Sequence, residues 1–511
     1  RSWPDRRRGR PSGPRALRCR RRSAVGAVAS EAGRLVAYTP GGNVASGARR
    51  LGWRGRCLPT VARPPAGPTT SRWVGVSAGP VESGAWGRWR RHSPFAGGFV
   101  VLGLADGALG AAWPAIHADL ALPLADLGLL LIAGTVGVVS TSVLAGRAVD
   151  RTPAGRLAAG GAGLLALGAL LLASSTGLAQ LVVGAVLAGA GSGAIDGSLN
   201  TVLARAGRHR LLNLLHGAYG VGTMLGPLAV AVALLAGSWR GAYGLLVLVD
   251  LGVGAALCEA GWVSSPAAGG GRRPAGRGRA GAPTDVSAGV AEETKDDHRT
   301  RDAWVAVAGG DEPGHRRGRL GLAPALLAVA MFVAYTGLEV SAGQWAATFA
   351  HGVLGLSAAS AAASAFGFWS GLAGVRLLLG IRPQPPGPRP VVGVGLVVAA
   401  LGIGLLWWRP DLVVALAGLV VLGGALAGMF PALLVLTGAR LGGERAGRLT
   451  GFQIAGAAVG GSGLSALVGV VLASAGVSAY PLAETVLLLA VIGSVGGFDL
   501  ASDPAREALR R

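Results

Sequence analysis

Apolar runs of 18 or more residues recur about a dozen times along this 511-residue chain. Each is long enough to cross a hydrocarbon core of about 30 Å as an α-helix. A helix satisfies its own backbone N–H and C=O groups, which lipid cannot do. Composition agrees, with 51% hydrophobic and only 14% charged residues, roughly half the charged share of a soluble domain. The expected fold class is an all-α membrane protein.

Charge, proline and glycine divide the runs into twelve spans. The first six lie near 96–116, 125–146, 157–174, 178–204, 211–236 and 241–263, and the second six near 320–349, 357–380, 391–408, 411–437, 447–474 and 480–498. Between the sets, 264–319 is polar, contains "EETKDDHRTRD" and reads as a flexible linker. The domain plan is thus a basic segment 1–94, a six-helix half 95–263, the linker 264–319, a second half 320–499 and a short tail 500–511.

The formal charge of +22 is concentrated rather than spread. Residues 1–94 hold 20 arginines and no lysine against Asp5, Glu31 and Glu82, a net +17 (20 − 3), and the first methionine of the chain is Met224. The segment lacks hydrophobic period and is expected to be disordered or to lie upstream of the true start. The charge therefore does not argue for a nucleic-acid partner. Cys19, Cys57 and Cys258 form no spacing pattern, so no disulfide framework, metal site or cofactor is expected.

Arginines in short loops set orientation. The loops after spans 2, 4, 8 and 10 carry Arg147, Arg151, Arg156, Arg205, Arg208, Arg210, Arg376, Arg382, Arg389, Arg440, Arg445 and Arg448. Those after odd-numbered spans carry Arg240 and Arg409. Both termini and the linker are expected on the cytoplasmic side of the cell membrane.

The two halves echo each other. "ADGALGAAW" (105–113) and "LEVSAGQW" (338–345) each hold an acid, a glycine four residues on, and a tryptophan; "NLLHGAYGVGTMLG" (213–226) pairs with "TGFQIAGAAVGGSG" (450–463), setting His216 opposite Gln453. Half-repeats of this kind place a solute site near the bilayer midplane. An ionised carboxylate at that depth costs about 2.5–3.5 kcal/mol on insertion scales, so it faces a partner or a wet cavity. Asp106, Asp196 and Glu339 on spans 1, 4 and 7 are the candidate proton carriers. Asn200 stands one turn from Asp196 on the same face, and Asn213 and His216 open span 5 together. These two asparagines, His216, Trp345 and Gln453 are the candidate solute contacts. Asp250 is left needing a polar partner on a neighbouring helix, whereas Glu259 and Glu484 near helix ends are expected to reach the interface.

"GRAVDRTPAGR" between spans 2 and 3 resembles the G-x-x-x-D-R-x-G-R loop of the major facilitator superfamily, with Gly146, Asp150, Arg151, Gly155 and Arg156 in place and one residue inserted. "GVRLLLGIR" (374–382) resembles its degenerate copy. The resemblance implies twelve helices in two pseudo-symmetric halves, with Gly146, Asp150, Arg151 and Arg156 as gating residues whose salt bridges hold one conformation and break in the other. "GSGAIDGSLN", "NLLHGAYGVGTMLGP", "YTGLEVSAGQW" and "FGFWSGLAGVRLLLG" are similar to the fucose permease-like sugar and proton symporters. There an acid in span 4 loads a proton as sugar binds, a role the resemblance passes to Asp196.

The expected function is secondary active transport of a small polar solute, a sugar by resemblance, by a monomer in the bilayer and coupled to protons. The chemistry is sound: a low-dielectric interior disfavours a charged carboxyl and aqueous contact restores it, so alternating exposure couples protonation to movement. Efflux by antiport is the rival, since "GTMLGP" (222–227) partly resembles an antiporter motif. A membrane enzyme or a non-transporting receptor is more distant; "GGSGLS" (460–465) offers a serine without a catalytic partner.

Overall fold

The computed structural model describes residues 83–206, 209–259, 322–382, 386–409 and 411–502. The linker and most of the basic segment lie outside these residues. Among the described residues every regular element is helical, and twelve helices are long and apolar enough to cross a membrane. They are Ser93–Asp119, Asp126–Ala148, Ala154–Ala173, Leu178–Arg205, Leu214–Leu235 and Trp239–Glu259, then Leu322–Gly352, Ala358–Gly380, Pro388–Trp408, Leu412–Leu441, Ala446–Ala475 and Val477–Ala501. Spans 1 to 12 are numbered in that order. The helix carrying span 1 begins at Ser83, ahead of the boundary expected at 95.

Lipid tails are as apolar as leucine, so helices in a bilayer associate through close packing and hydrogen bonds rather than hydrophobic burial. The sequence supplies the small residues this needs. A methyl group added to Gly222 of span 5 would lie 2.1 Å from the carbonyl oxygen of Val100 in span 1, so the two backbones are in direct contact. Spans 2 and 4, 3 and 4, and 3 and 6 pack closely in the first half; spans 9 and 10, 8 and 10, and 7 and 12 do so in the second. The halves meet along spans 1 and 7, 5 and 8, and 2 and 11.

Two spans are irregular. Span 10 divides at its midpoint into Leu412–Leu426 and Met429–Leu441. Pro431 explains the break, because it has no N–H for the carbonyl four residues earlier and its ring crowds that carbonyl. Span 11 contains a π-helical turn, Gly460–Leu464, where a methyl on Gly460 would lie 2.1 Å from the oxygen of Val333 in span 7. Wide turns of this type often mark functional stretches.

Candidate functional site

Asp106 is the middle residue of span 1, which packs against spans 5, 6, 7 and 8. Its side chain is nevertheless exposed, so it borders an internal space between the halves. One carboxylate oxygen accepts a hydrogen bond from the Tyr219 hydroxyl of span 5 at 2.8 Å. On span 4, Asp196 accepts from the Asn200 amide nitrogen at 2.7 Å, as the four-residue spacing requires. The charges of Asp196 and Asp106 act on each other, as do those of Asp196 and His216. His216 is exposed and stands edge-on to Phe99, with ring centroids 5.4 Å apart. Among the described residues neither Asp106 nor Asp196 has an arginine or lysine salt-bridge partner. The Asn213 side chain lies outside the described residues.

The second half contributes a different group. Glu339 of span 7 accepts from Arg376 at 2.9 and 3.1 Å and from the Tyr335 hydroxyl one turn away. Arg376 is not a loop residue as expected: it lies inside span 8, Ala358–Gly380, one turn before the end, and points across to span 7. In the sequence it stands only six residues before Arg382 and next to no other charge, which is the pattern of a loop arginine. Across the interface it acts electrostatically on His216 and Tyr219, and Glu339 acts on Tyr219. Asp106, Asp196, Asn200, His216, Tyr219, Glu339 and Arg376 thus form one neighbourhood of polar groups drawn from both halves. Tyr219 and Arg376 are the members the sequence did not single out.

Trp345 and Gln453 sit elsewhere. Trp345 is fully buried, and its indole N–H donates to the Ser465 carbonyl at 3.0 Å. The matching Trp113 donates to the Leu124 carbonyl, also at 3.0 Å, so the recurring acid-to-tryptophan pattern builds helix packing at this point. Gln453, also fully buried, donates to Ala328 at 3.1 Å and Thr437 at 2.9 Å, tying spans 7, 10 and 11. Its half-repeat counterpart His216 faces the internal space.

At the end away from the arginine-rich loops the halves are in contact. Gln344 of span 7 donates to the Asp106 carbonyl at 2.9 Å, and a methyl on Gly110 would lie 2.4 Å from the Gln344 carbonyl oxygen. A methyl on Gly128 of span 2 would lie 2.6 Å from the Ala466 Cα of span 11. At the arginine-rich end, Asp150 pairs with Arg205 at 2.5 Å, linking the loop after span 2 to the end of span 4. Asp499 pairs with Arg440 at 2.7 Å. Arg151 is exposed without an ion pair among the described residues. Gly146 lies within the span 2 helix facing Thr201, its added methyl 3.4 Å from the hydroxyl. Arg156 borders a shallow groove of about 360 Å³ between spans 3 and 6, together with Gly163, Asp250, Gly254 and Cys258.

The remaining acids divide. Asp250 is buried at that groove and has no hydrogen-bond partner among the described residues, so the expected polar neighbour is missing. Glu259 is exposed at the end of span 6. Glu484 does not reach the interface as expected; it is fully buried and accepts from the Ser341 hydroxyl at 2.8 and 3.0 Å. The helix axis carried it inward, because its position near the end of span 12 fixes depth but not rotation. Among the described residues no three His, Cys, Asp or Glu side chains are grouped to hold a metal ion.

Residues 95–461 match the sequence model of the Major Facilitator Superfamily. No curated protein sequence matches the chain. Solved structures that share the fold include the following three. A D-xylose-proton symporter is 14% identical with a TM-score of 0.59, covering 80% of this chain and 97% of its own. A nucleoside transporter, NupG, is 13% identical with a TM-score of 0.57, covering 81% and 99%. A bacterial homolog of the human lysosomal transporter Spinster, inward-facing and unoccupied, is 13% identical with a TM-score of 0.57, covering 82% and 98%.

Proposed function

Because the chain belongs to the Major Facilitator Superfamily, and is therefore a multi-pass membrane transporter rather than an enzyme, we propose that it is a proton-coupled symporter for a sugar or closely related polar solute. The observation that carries this reading is the pair of acids, Asp106 and Asp196, which lie near each other and, among the described residues, have no arginine or lysine ion pair. A carboxylate held permanently by a guanidinium has little reason to exchange protons, whereas an unpaired one beside water loads and unloads with its surroundings. Asn200, His216 and Tyr219 surround the acids with amide, imidazole and phenol groups, which exchange hydrogen bonds with sugar hydroxyls. The solved D-xylose-proton symporter is one of the proteins sharing this fold.

The proposed cycle runs as an alternation of the two halves. With the arginine-rich loops cytoplasmic, as basic loops require, the closed end held by Gly110 and Gln344 is extracellular and the internal space faces the cytoplasm. Rocking of the halves opens the extracellular end, and Asp196 takes a proton from outside while the solute bonds to Asn200 and His216. The return motion closes Gly110 onto Gln344, the solute leaves, and Asp196 releases its proton inward. One chain contains both halves and acts as a monomer in the cell membrane.

The test is solute-driven proton movement in proteoliposomes holding the full chain, with an external pH dye, a panel of sugars, and Asp196→Asn beside the wild type. Alkalinisation outside on adding one sugar, abolished in the variant, supports symport. Silence toward every sugar, with dye efflux under an imposed proton gradient, replaces this reading with antiport.

A further inference from the structure

Span 10 breaks at mid-depth, and the break leaves two backbone carbonyls without their helical donors. Ala427 loses its partner because Pro431, four residues on, has no N–H; Leu426 ends the first helical half. An uncompensated polar group in an apolar interior is costly, and a discontinuous helix persists in a membrane only where other groups satisfy it. Here Arg376 answers the first: it donates through Nε to the Ala427 oxygen at 3.0 Å while its Nη2 donates to the Glu339 carboxylate. The Tyr335 hydroxyl lies 3.0 Å from the Leu426 oxygen and also within reach of Glu339, so its single proton is shared between that carbonyl and the carboxylate. Phe430, at the start of the second half, packs on Tyr335 and on Phe332.

We propose that Glu339 is the latch of a hinge in span 10: it positions Arg376 on the carbonyl freed by Pro431, and loss of its negative charge releases Met429–Leu441 to tilt relative to Leu412–Leu426. Glu339, Arg376 and Tyr335 act here as positioning residues. The groups facing the latch are Arg376 on span 8, Tyr335 on span 7 and Tyr219 on span 5, with His216 of span 5 acting on Arg376. Glu339 is 15% exposed at its side chain, so the space that holds Asp106 and Asp196 reaches it. Charge arriving among the acids of the first half is thereby felt at a helix of the second. The hinge is internal to the second half and is distinct from rocking of one half on the other. It supplies the proposed transport cycle with a local step at the cytoplasmic side, but its existence does not depend on which solute or ion is carried.

A distance within the second half isolates it. Spin labels at Ala439→Cys, exposed near the end of span 10, and Leu378→Cys, exposed on span 8, in a background with Cys19, Cys57 and Cys258 replaced by serine, report the hinge and not rocking, since both sites belong to one half. A tilt of about 15° moves the far end of a 13-residue helix, about 20 Å long, by about 5 Å. Glu339→Gln is expected to shift or broaden the distance distribution by about that amount, and Tyr335→Phe, which removes one donor and keeps the ring, by less. Pro431→Ala returns an N–H to the Ala427 carbonyl and is expected to cancel the effect of Glu339→Gln. Distributions unchanged by both variants in monodisperse protein, or an effect of Glu339→Gln that survives Pro431→Ala, overturn the proposal. The measurement needs no solute, so failure of sugar symport and failure of the hinge are read separately.

Discussion

Asn200 holds Asp196 from one helical turn away, its amide nitrogen 2.7 Å from the carboxylate, while His216 of the next span acts on the same charge. A proton-carrying acid needs neighbours that orient it without fixing its charge, and a neutral amide does this where a guanidinium does not. Asp196→Asn is therefore expected to abolish solute accumulation driven by a proton gradient while retaining exchange of labelled for unlabelled solute, which needs no net proton transfer. Counterflow measured beside uphill uptake checks the split; loss of both, in folded protein, assigns Asp196 to solute binding instead.

Closure at the end away from the arginine-rich loops rests on the absence of a side chain at Gly110, where a methyl would lie 2.4 Å from the Gln344 carbonyl oxygen. Backbone cannot yield that far, so Gly110→Val is expected to hold the halves apart at this end and to lower transport at least tenfold. Thiol labelling of a cysteine placed at Gln344 in a cysteine-free background, with and without Gly110→Val, reads the opening directly. Unchanged labelling removes Gly110 from the gate.

The Asp150–Arg205 pair spans the arginine-rich face with side chains 56% and 49% exposed. A pair this open to water contributes about 0–1 kcal/mol to stability, so Asp150→Asn is expected to leave the thermal midpoint within a few degrees. If the pair holds the conformation seen here, the variant slows transport several-fold nonetheless, and raising salt reproduces the slowing in the wild type by screening. A large drop in thermal midpoint would make the pair structural.

Helix packing makes a sharper distinction among glycines. Gly222→Ile drives a branched side chain into the Val100 carbonyl, 2.1 Å from where its first carbon must sit, whereas Gly244→Ile meets nothing within 4 Å. Detergent-stable, monodisperse yield is expected to collapse for the first and to hold for the second. Equal yields would show that spans 1 and 5 separate at little cost.

Much of the architecture was legible because hydropathy is a local property. All twelve spans stand where apolar runs predict them, and the Asp196–Asn200 bond follows from a four-residue spacing on one helix. Pro431 also lay in plain view, with a residue type that carries its own consequence for the carbonyl of Ala427. What it could not reveal was the donor that answers that carbonyl. Arg376 is 51 residues away in the chain, and its position one turn from a helix end gave it the look of a loop arginine. Trp345 and Glu484 show the same limit in reverse: residue type and depth suggested a cavity wall and an interface, and helix rotation buried both.

The sequence by itself determined the number of spans, the twofold repeat and the depth of the acids at mid-span, since these depend on composition within a window of about twenty residues and on the cost of polar atoms in hydrocarbon. Only the tertiary structure decided which polar groups meet. Tyr219 reaches Asp106 across 113 residues, and Arg376 joins Glu339 to the break in span 10. Those meetings depend on the rotation of each helix about its axis, which is set by close packing of small residues against several neighbours at once and leaves no periodic trace in any single span.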